Sequence, residues 1–119
     1  MKIMIVDDSR HMRDFLSEAL LKFPAEVCTA EDGETAVRRY ADEKPDIVLM
    51  DVRMPRMDGI TASAGIRRLN PSACIIIVTE HDVDEYREDA RNAGAAAYFL
   101  KQNLVDLFRY LRNEYLNPN

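Results

Sequence analysis

Five short apolar runs punctuate the chain: Ile3-Met4-Ile5-Val6, Val27-Cys28, Ile47-Val48-Leu49-Met50, Ile75-Ile76-Ile77-Val78 and Ala96 to Leu100. Runs without apolar–polar alternation suit strands buried on both faces, as in a parallel sheet. Between them the period changes. Met12, Phe15, Leu16, Ala19 and Leu20 follow i, i+3, i+4, i+7, i+8 spacing, which predicts a helix with one apolar stripe. Leu104, Leu107, Phe108, Leu111 and Tyr115 repeat that signal near the end of the chain. Ala36, Val37 and Tyr40 mark a second helix ahead of Pro45, and Ile60 to Leu69 reads as a third, stopped by Asn70-Pro71. Asp84 to Asn92 predicts a fourth, with Gly94 supplying the left-handed residue that ends it. Five strands and five helices in strict alternation, with no repeat, linker or low-complexity tract, predict one doubly wound α/β domain over residues 1–119.

Composition narrows the class. The chain is 47% hydrophobic and 31% charged, as expected of a globular domain. A chain of this size buries roughly two-thirds of its unfolded surface, enough for a core without covalent staples. Its net charge of -5 argues against this domain gripping nucleic acid directly. No apolar run approaches the ~20 residues of a membrane span, and the opening residues do not read as a signal peptide. Cys28 and Cys74 lack metal or redox spacing, so a cytoplasmic location is expected. With two histidines and no cysteine partner for them, a zinc site is not expected; His11 reads as a surface residue. The six methionines read as core filler.

In open α/β sheets, ligands gather at the carboxyl ends of the strands. The first run ends on Asp7-Asp8, the third on Asp51, the fourth on Thr79 and the fifth on Lys101. Only the second, ending at Thr29-Ala30, lacks comparable chemistry. Singly, each residue has a structural explanation: Asp8 or Thr79 as a helix cap, Lys101 as a solvated lysine. Together they describe a site. Clustered carboxylates raise one another's pKa unless something neutralises them. A hard dication held by oxygen ligands does so, and Mg²⁺ suits a site with few carboxylates and room for a phosphoryl oxygen. Lys101 can reach a phosphate as a point charge, and the Thr79 hydroxyl can donate to another oxygen. Asp51 is then the nucleophile that becomes an acyl phosphate.

"IMIVDDS", "DIVLMDVRMPRMDG", "VTE" and "AGAAAYFLK" together resemble the receiver domain of response regulators, the phosphoacceptor half of bacterial two-component signalling. The resemblance covers essentially the whole chain and implies a flavodoxin-like sheet of order 2-1-3-4-5. It also implies Mg²⁺ bound by Asp8, Asp51 and the backbone carbonyl of Arg53, with Asp7 acting mainly through the metal's waters. Asp51 would accept its phosphoryl group from a sensor histidine kinase or phosphotransfer domain, Thr79 and Lys101 would hold it, and Tyr98 would change rotamer on activation. The fourth helix, fifth strand and fifth helix would then engage a downstream effector, an output domain beyond this chain, or a second copy. In that order the second and fourth strands lie roughly 14 Å apart, so Cys28 and Cys74 are expected as free thiols.

Four positions depart from the commonest pattern: Glu80 follows Thr79 in place of a small residue, Arg53 and His81 occupy variable modulating positions, and Gln102 replaces the frequent proline after Lys101. "EYREDARNAGAAAYFLKQNLVDLF" resembles receivers of LuxR-type transcription regulators. Arg53 and Glu80 follow adjacent strands, which suggests an ion pair gating the phosphate's entrance. A degenerate receiver acting as a phosphorylation-independent binding module is the alternative. Haloacid-dehalogenase-like phosphatases also use a strand-end aspartate, but they need a second Asp where this chain has Arg53. A nucleotide or flavin domain would need a Gly-rich loop after the first strand, and none is present. The closing "YLNPN" reads either as an end or as the start of a linker.

Overall fold

The structure is a computed structural model that describes residues 1–116; the closing Asn-Pro-Asn lies outside the described residues. In chain order its elements are β1 (Lys2–Val6), α1 (Arg10–Leu20), β2 (Glu26–Ala30), α2 (Gly33–Glu43), β3 (Ile47–Met50), α3 (Gly59–Leu69), β4 (Ile75–Thr79), α4 (Asp84–Asn92), β5 (Ala97–Leu100) and α5 (Leu104–Leu111). The five strands form one parallel sheet of order β2-β1-β3-β4-β5, the flavodoxin-like arrangement.

Two cores follow from the strand period of two. Met4, Val6, Val48, Met50, Ile75 and Ile77 face Tyr40, Ile66 and Ala90 of α2, α3 and α4. Their sequence neighbours Ile3, Ile5, Ile47, Leu49, Ile76 and Val78 face Leu16 and Leu20 of α1 and Leu107 and Leu111 of α5. Each of the three central strands β1, β3 and β4 therefore presents apolar side chains to both faces, which is why its apolar run is unbroken. Fully burying one such side chain stabilises the fold by roughly 1.5–3 kcal/mol. Phe15, on the predicted stripe of α1, remains 48% exposed. It stands at the edge of that stripe, which is anchored by Leu16 and Leu20.

Three boundaries differ from the apolar pattern. β2 runs two residues beyond Cys28 and starts at Glu26, because an edge strand is defined by its pairing with Lys2–Val6 and does not require two buried faces. β5 begins at Ala97, one residue late; Ala96 instead donates its N–H to the Ile75 carbonyl. The last helix ends its α-helical part at Leu111 and continues as a wider π turn over Arg112–Leu116. That turn seats the Tyr115 hydroxyl 3.3 Å from the Cys74 thiol, which donates to it. Cys28 and Cys74 are both free, as expected, and they also pack on opposite faces of the sheet.

Candidate functional site

The carboxyl edge of the sheet collects buried polar groups. Asp7, Asp51 and Thr79 are at most 6% exposed, which marks them, because buried polar residues are far more informative than buried apolar ones. Register brings them together: Val6 pairs with Met50, so Asp7 and Asp51 leave adjacent strands side by side, and the Asp51 N–H donates to the Val6 carbonyl. Asp8 is exposed. It does not cap α1; Ser9 does, accepting from the Met12 N–H at 3.2 Å. One carboxylate oxygen from each of Asp7, Asp8 and Asp51 lies within 4.8 Å of the others, a donor set that fits a hard dication.

Lys101 enters from the far side of the sheet. Its Nζ lies 2.7 Å from Asp7 Oδ2 and 3.3 Å from Asp51 Oδ2. Burial disfavours its charge, yet the hydrogen bond to Asp7 and the attraction of Asp51 prevail, and its pKa is raised above the usual lysine value. Asp51 moves further. Burial, followed by the neighbouring Asp7 charge, pushes its carboxyl up to about 6, with Lys101 and the Val52 N–H opposing.

The loop after β3 is shaped around Asp51. The Val52 N–H donates to Asp51 Oδ1 at 2.8 Å, and the Gly59 N–H donates to the Val52 carbonyl at 2.7 Å. A Cβ on Gly59 would stand 1.7 Å from the Asp51 carbonyl oxygen, so only glycine lets the chain close there. Asp58 caps α3 by accepting from the Thr61 N–H. The Asp58-Gly59 pair therefore starts α3 and seals the loop.

A second set of contacts runs away from the carboxylates. Thr79 Oγ1 accepts from the His81 N–H at 3.3 Å, and the His81 carbonyl accepts from the Tyr98 hydroxyl at 2.7 Å. The Arg87 guanidinium lies 4.5 Å from the centre of the Tyr98 ring. Burial raises the Tyr98 phenol above its ordinary pKa. His81 thus joins β4 to β5, through its backbone on both sides.

Asp7, Asp8, Asp51 and Lys101 meet as the strand ends predict, and Thr79, His81 and Tyr98 form the adjoining chain of contacts. The expected Arg53–Glu80 pair is absent among the described residues. Glu80, with a 72% exposed side chain, approaches His81 Nε2 at 3.8 Å instead, and the exposed Arg53 lines the mouth of a cavity beside Asp8. Adjacent strands fix the backbone positions of both residues but not the direction of long, solvated side chains. Two basic contacts at the site had no counterpart in the sequence reading. Arg13 donates to the Asp7 carbonyl at 2.8 Å, and Arg56 donates to Asp32 Oδ2 at 2.7 Å. An aspartate three residues ahead of Thr35 is a helix-start pattern that could have drawn attention to Asp32, but no pattern in the sequence points to Arg56 as its partner.

Comparison with known proteins agrees with this fold. The family model of the response regulator receiver domain matches residues 3–112. The chemotaxis protein CheY of Bacillus subtilis is 38% identical over 117 residues, which cover 98% of each protein. A two-component response regulator of the LuxR family from an Aurantimonas species superposes with a TM-score of 0.88 at 32% identity, covering 94% of this chain and 82% of that one. The Thermotoga maritima response regulator TrrA, crystallised in complex with Mg(2+)-BeF, gives a TM-score of 0.84 at 31% identity, covering 94% of this chain and 96% of that one. The chain belongs to the response regulator receiver domains of two-component signalling.

Proposed function

We propose that this domain accepts a phosphoryl group on Asp51 from a sensor histidine kinase or phosphotransfer domain and thereby switches a partner-binding face. The observation that carries the reading is the Asp51 carboxylate itself, its side chain only 7% exposed, set beside Asp7 with the Lys101 ammonium bridging the two. Such a group opposes folding, so its presence points to chemistry. With a pKa of about 6 it is ionised at neutral pH and therefore nucleophilic. In the transfer, an Asp51 oxygen attacks phosphorus in line while the bond from phosphorus to the donor's imidazole nitrogen breaks. The imidazole leaves with the electron pair, and Asp51 becomes an acyl phosphate.

The chain's other groups have matching tasks. Lys101 turns its ammonium from the Asp7 and Asp51 carboxylates to a phosphoryl oxygen, and Thr79 donates its hydroxyl to another. Asp8, Asp51 and the Arg53 carbonyl would hold Mg²⁺, with Asp7 acting through its waters. When bound, Mg²⁺ would supply positive charge between the carboxylates and the incoming phosphoryl group. A cavity of about 670 Å³ beside Asp8 and Arg53 leaves room for the donor. Turning Thr79 toward the phosphate withdraws the acceptor from the His81 N–H, and His81 also anchors Tyr98. Through that residue the charge at Asp51 biases α4, β5 and α5 as the output surface, for an effector, an appended output domain or a second copy. We read residues 1–119 as one receiver domain acting in the cytoplasm, where a kinase donor is supplied.

No specific observation favours a phosphorylation-independent module, since Glu80 is directed to His81 and Arg53 is exposed. Intact-mass measurement after incubation with acetyl phosphate and Mg²⁺ tests the proposal. One added phosphoryl group on the wild type, and none on Asp51→Asn or with excess EDTA, is expected. Label on the Asn variant would refute the assignment of Asp51, and label in EDTA would refute the role of Mg²⁺.

A further inference from the structure

We infer that Asp32 and Arg56 form a strut that positions the metal-binding loop, and that this pair sets the domain's Mg²⁺ affinity without touching the ion. The inference rests on the reading of Asp51 and the Arg53 carbonyl as Mg²⁺ ligands.

Asp32 is only 1% exposed, and both of its oxygens are engaged. Oδ1 caps α2 by accepting from the Thr35 N–H at 2.7 Å, and Oδ2 accepts from Arg56 Nη1 at 2.7 Å. The hydrogen bonds from Thr35, helped by Arg56, hold the Asp32 carboxyl below its ordinary pKa despite burial. Arg56 comes from the middle of the loop that follows Asp51, and its backbone is left-handed, with φ of 70°. A side chain with a Cβ adopts that region only when its surroundings hold it there.

The next residue meets the same neighbour. A Cβ on Gly33 would lie 2.5 Å from the Met57 carbonyl oxygen, so the first turn of α2 abuts the loop's backbone directly. The loop is therefore fastened from outside at Arg56 and Met57. From inside it is closed by the bond from the Gly59 N–H to the Val52 carbonyl and by the contact of Gly59 with the Asp51 carbonyl. Arg53 lies between these fastenings. Its carbonyl has no side-chain freedom of its own, and its direction is set by the path of the loop. Loss of groups that orient metal ligands typically weakens binding by 10–100-fold. Here the strut acts through three residues of backbone, and the lower end of that range is expected, on the order of tenfold.

The Arg56 side chain is 64% exposed whereas that of Asp32 is 2% exposed, so the strut is a surface cation resting on a buried anion. Its electrostatic part is open to screening by salt, unlike the cap bond from the same carboxylate to Thr35.

Calorimetric titration of the full chain with MgCl₂ tests the inference through a double-mutant cycle. Asn is a good helix cap, so Asp32→Asn removes the charge while leaving α2 started. Arg56→Ala in the wild-type background is expected to raise the Kd for Mg²⁺ on the order of tenfold. In the Asp32→Asn background the same change should have little further effect. Arg56→Gly, which accepts the left-handed backbone freely, should weaken binding like Arg56→Ala, and Arg56→Lys should restore part of the affinity. The ratio of Arg56→Ala to wild-type Kd should shrink as NaCl is raised. Equal losses in the two backgrounds, or unchanged affinity in Arg56→Gly, would overturn the strut. Failure of the wild type itself to bind Mg²⁺ would instead overturn the functional reading on which the strut depends.

Discussion

Replacing Asp51 by asparagine should stabilise the metal-free domain at neutral pH, and the gain should depend on pH in a defined direction. In the fold, burial and the Asp7 charge raise the Asp51 carboxyl from 3.8 to about 6. The native state therefore favours the protonated acid, whereas the unfolded chain ionises at the ordinary value. Stability contributed by this group is fully present below the unfolded pKa, is lost as pH rises toward the folded pKa, and is constant above it. At 1.36 kcal/mol per pKa unit, the carboxylate destabilises the native state by roughly 3 kcal/mol above pH 7. The attraction of Lys101 is already contained in that shift, because it opposes the rise. Asparagine has the shape of the neutral acid: its single oxygen can still accept from the Val52 N–H in the place of Asp51 Oδ1, while its amide nitrogen replaces Oδ2 and leaves Lys101 to Asp7. The variant should thus be more stable by roughly 3 kcal/mol near neutrality, or about 10 °C in Tm, and equal to the wild type below about pH 4. Urea unfolding of both proteins in EDTA, at intervals from about pH 4 to pH 8, measures the difference directly. Saturating Mg²⁺ should then close most of the gap, since ion at 100 times Kd stabilises the protein that binds it by about 2.7 kcal/mol. A difference that does not vary with pH, or a variant less stable than wild type near neutrality, would refute the reasoning.

Three further outcomes follow from the same contacts. Lys101→Met leaves Asp7 and Asp51 buried without their cation and should cost about 2–3 kcal/mol at neutral pH, shrinking in acid as Asp51 protonates; urea midpoints at two pH values check this. Gly59→Ala places a methyl group where the Asp51 carbonyl stands, and should destabilise by about 3 kcal/mol while weakening Mg²⁺ binding, as read by unfolding and by titration. Glu80→Ala removes a rim charge directed to His81 and should leave the rate of phosphorylation by acetyl phosphate within about twofold; a large acceleration that depends on Arg53 would reinstate a gate.

Much of the architecture was legible because the two faces of the sheet impose one simple requirement. A central strand must be apolar at every position, and the runs at Ile3, Ile47 and Ile75 have no other satisfactory home. The edge strand β2 was read only at Val27-Cys28, since its other residues need pairing more than burial. The apolar spacing of α5 reached Tyr115, which does pack on the core, but it gave no sign that the backbone widens to a π turn after Leu111. For the candidate site, the strand-end rule pointed to Asp7, Asp8, Asp51 and Lys101, whose charged groups the fold brings together, and to Thr79, buried at the end of β4. The Asp32–Arg56 tie stayed hidden: 24 residues separate the partners, and each has an ordinary local role as a cap or a loop cation. The Arg53–Glu80 pair failed for the complementary reason, as neighbouring backbone positions do not determine where exposed side chains point.

The central claim concerns one atom group, the carboxylate of Asp51, and it can be read at that residue. Borohydride reduces an acyl phosphate to an alcohol, so reducing the phosphorylated protein and mapping its peptides by mass spectrometry marks the site of attachment. Treatment with acetyl phosphate and Mg²⁺ before reduction should convert position 51, and no other aspartate, to homoserine, with none formed when EDTA is present. Homoserine at position 7 or 8, or an unmodified position 51 in protein whose intact mass shows a phosphoryl group, would contradict the account.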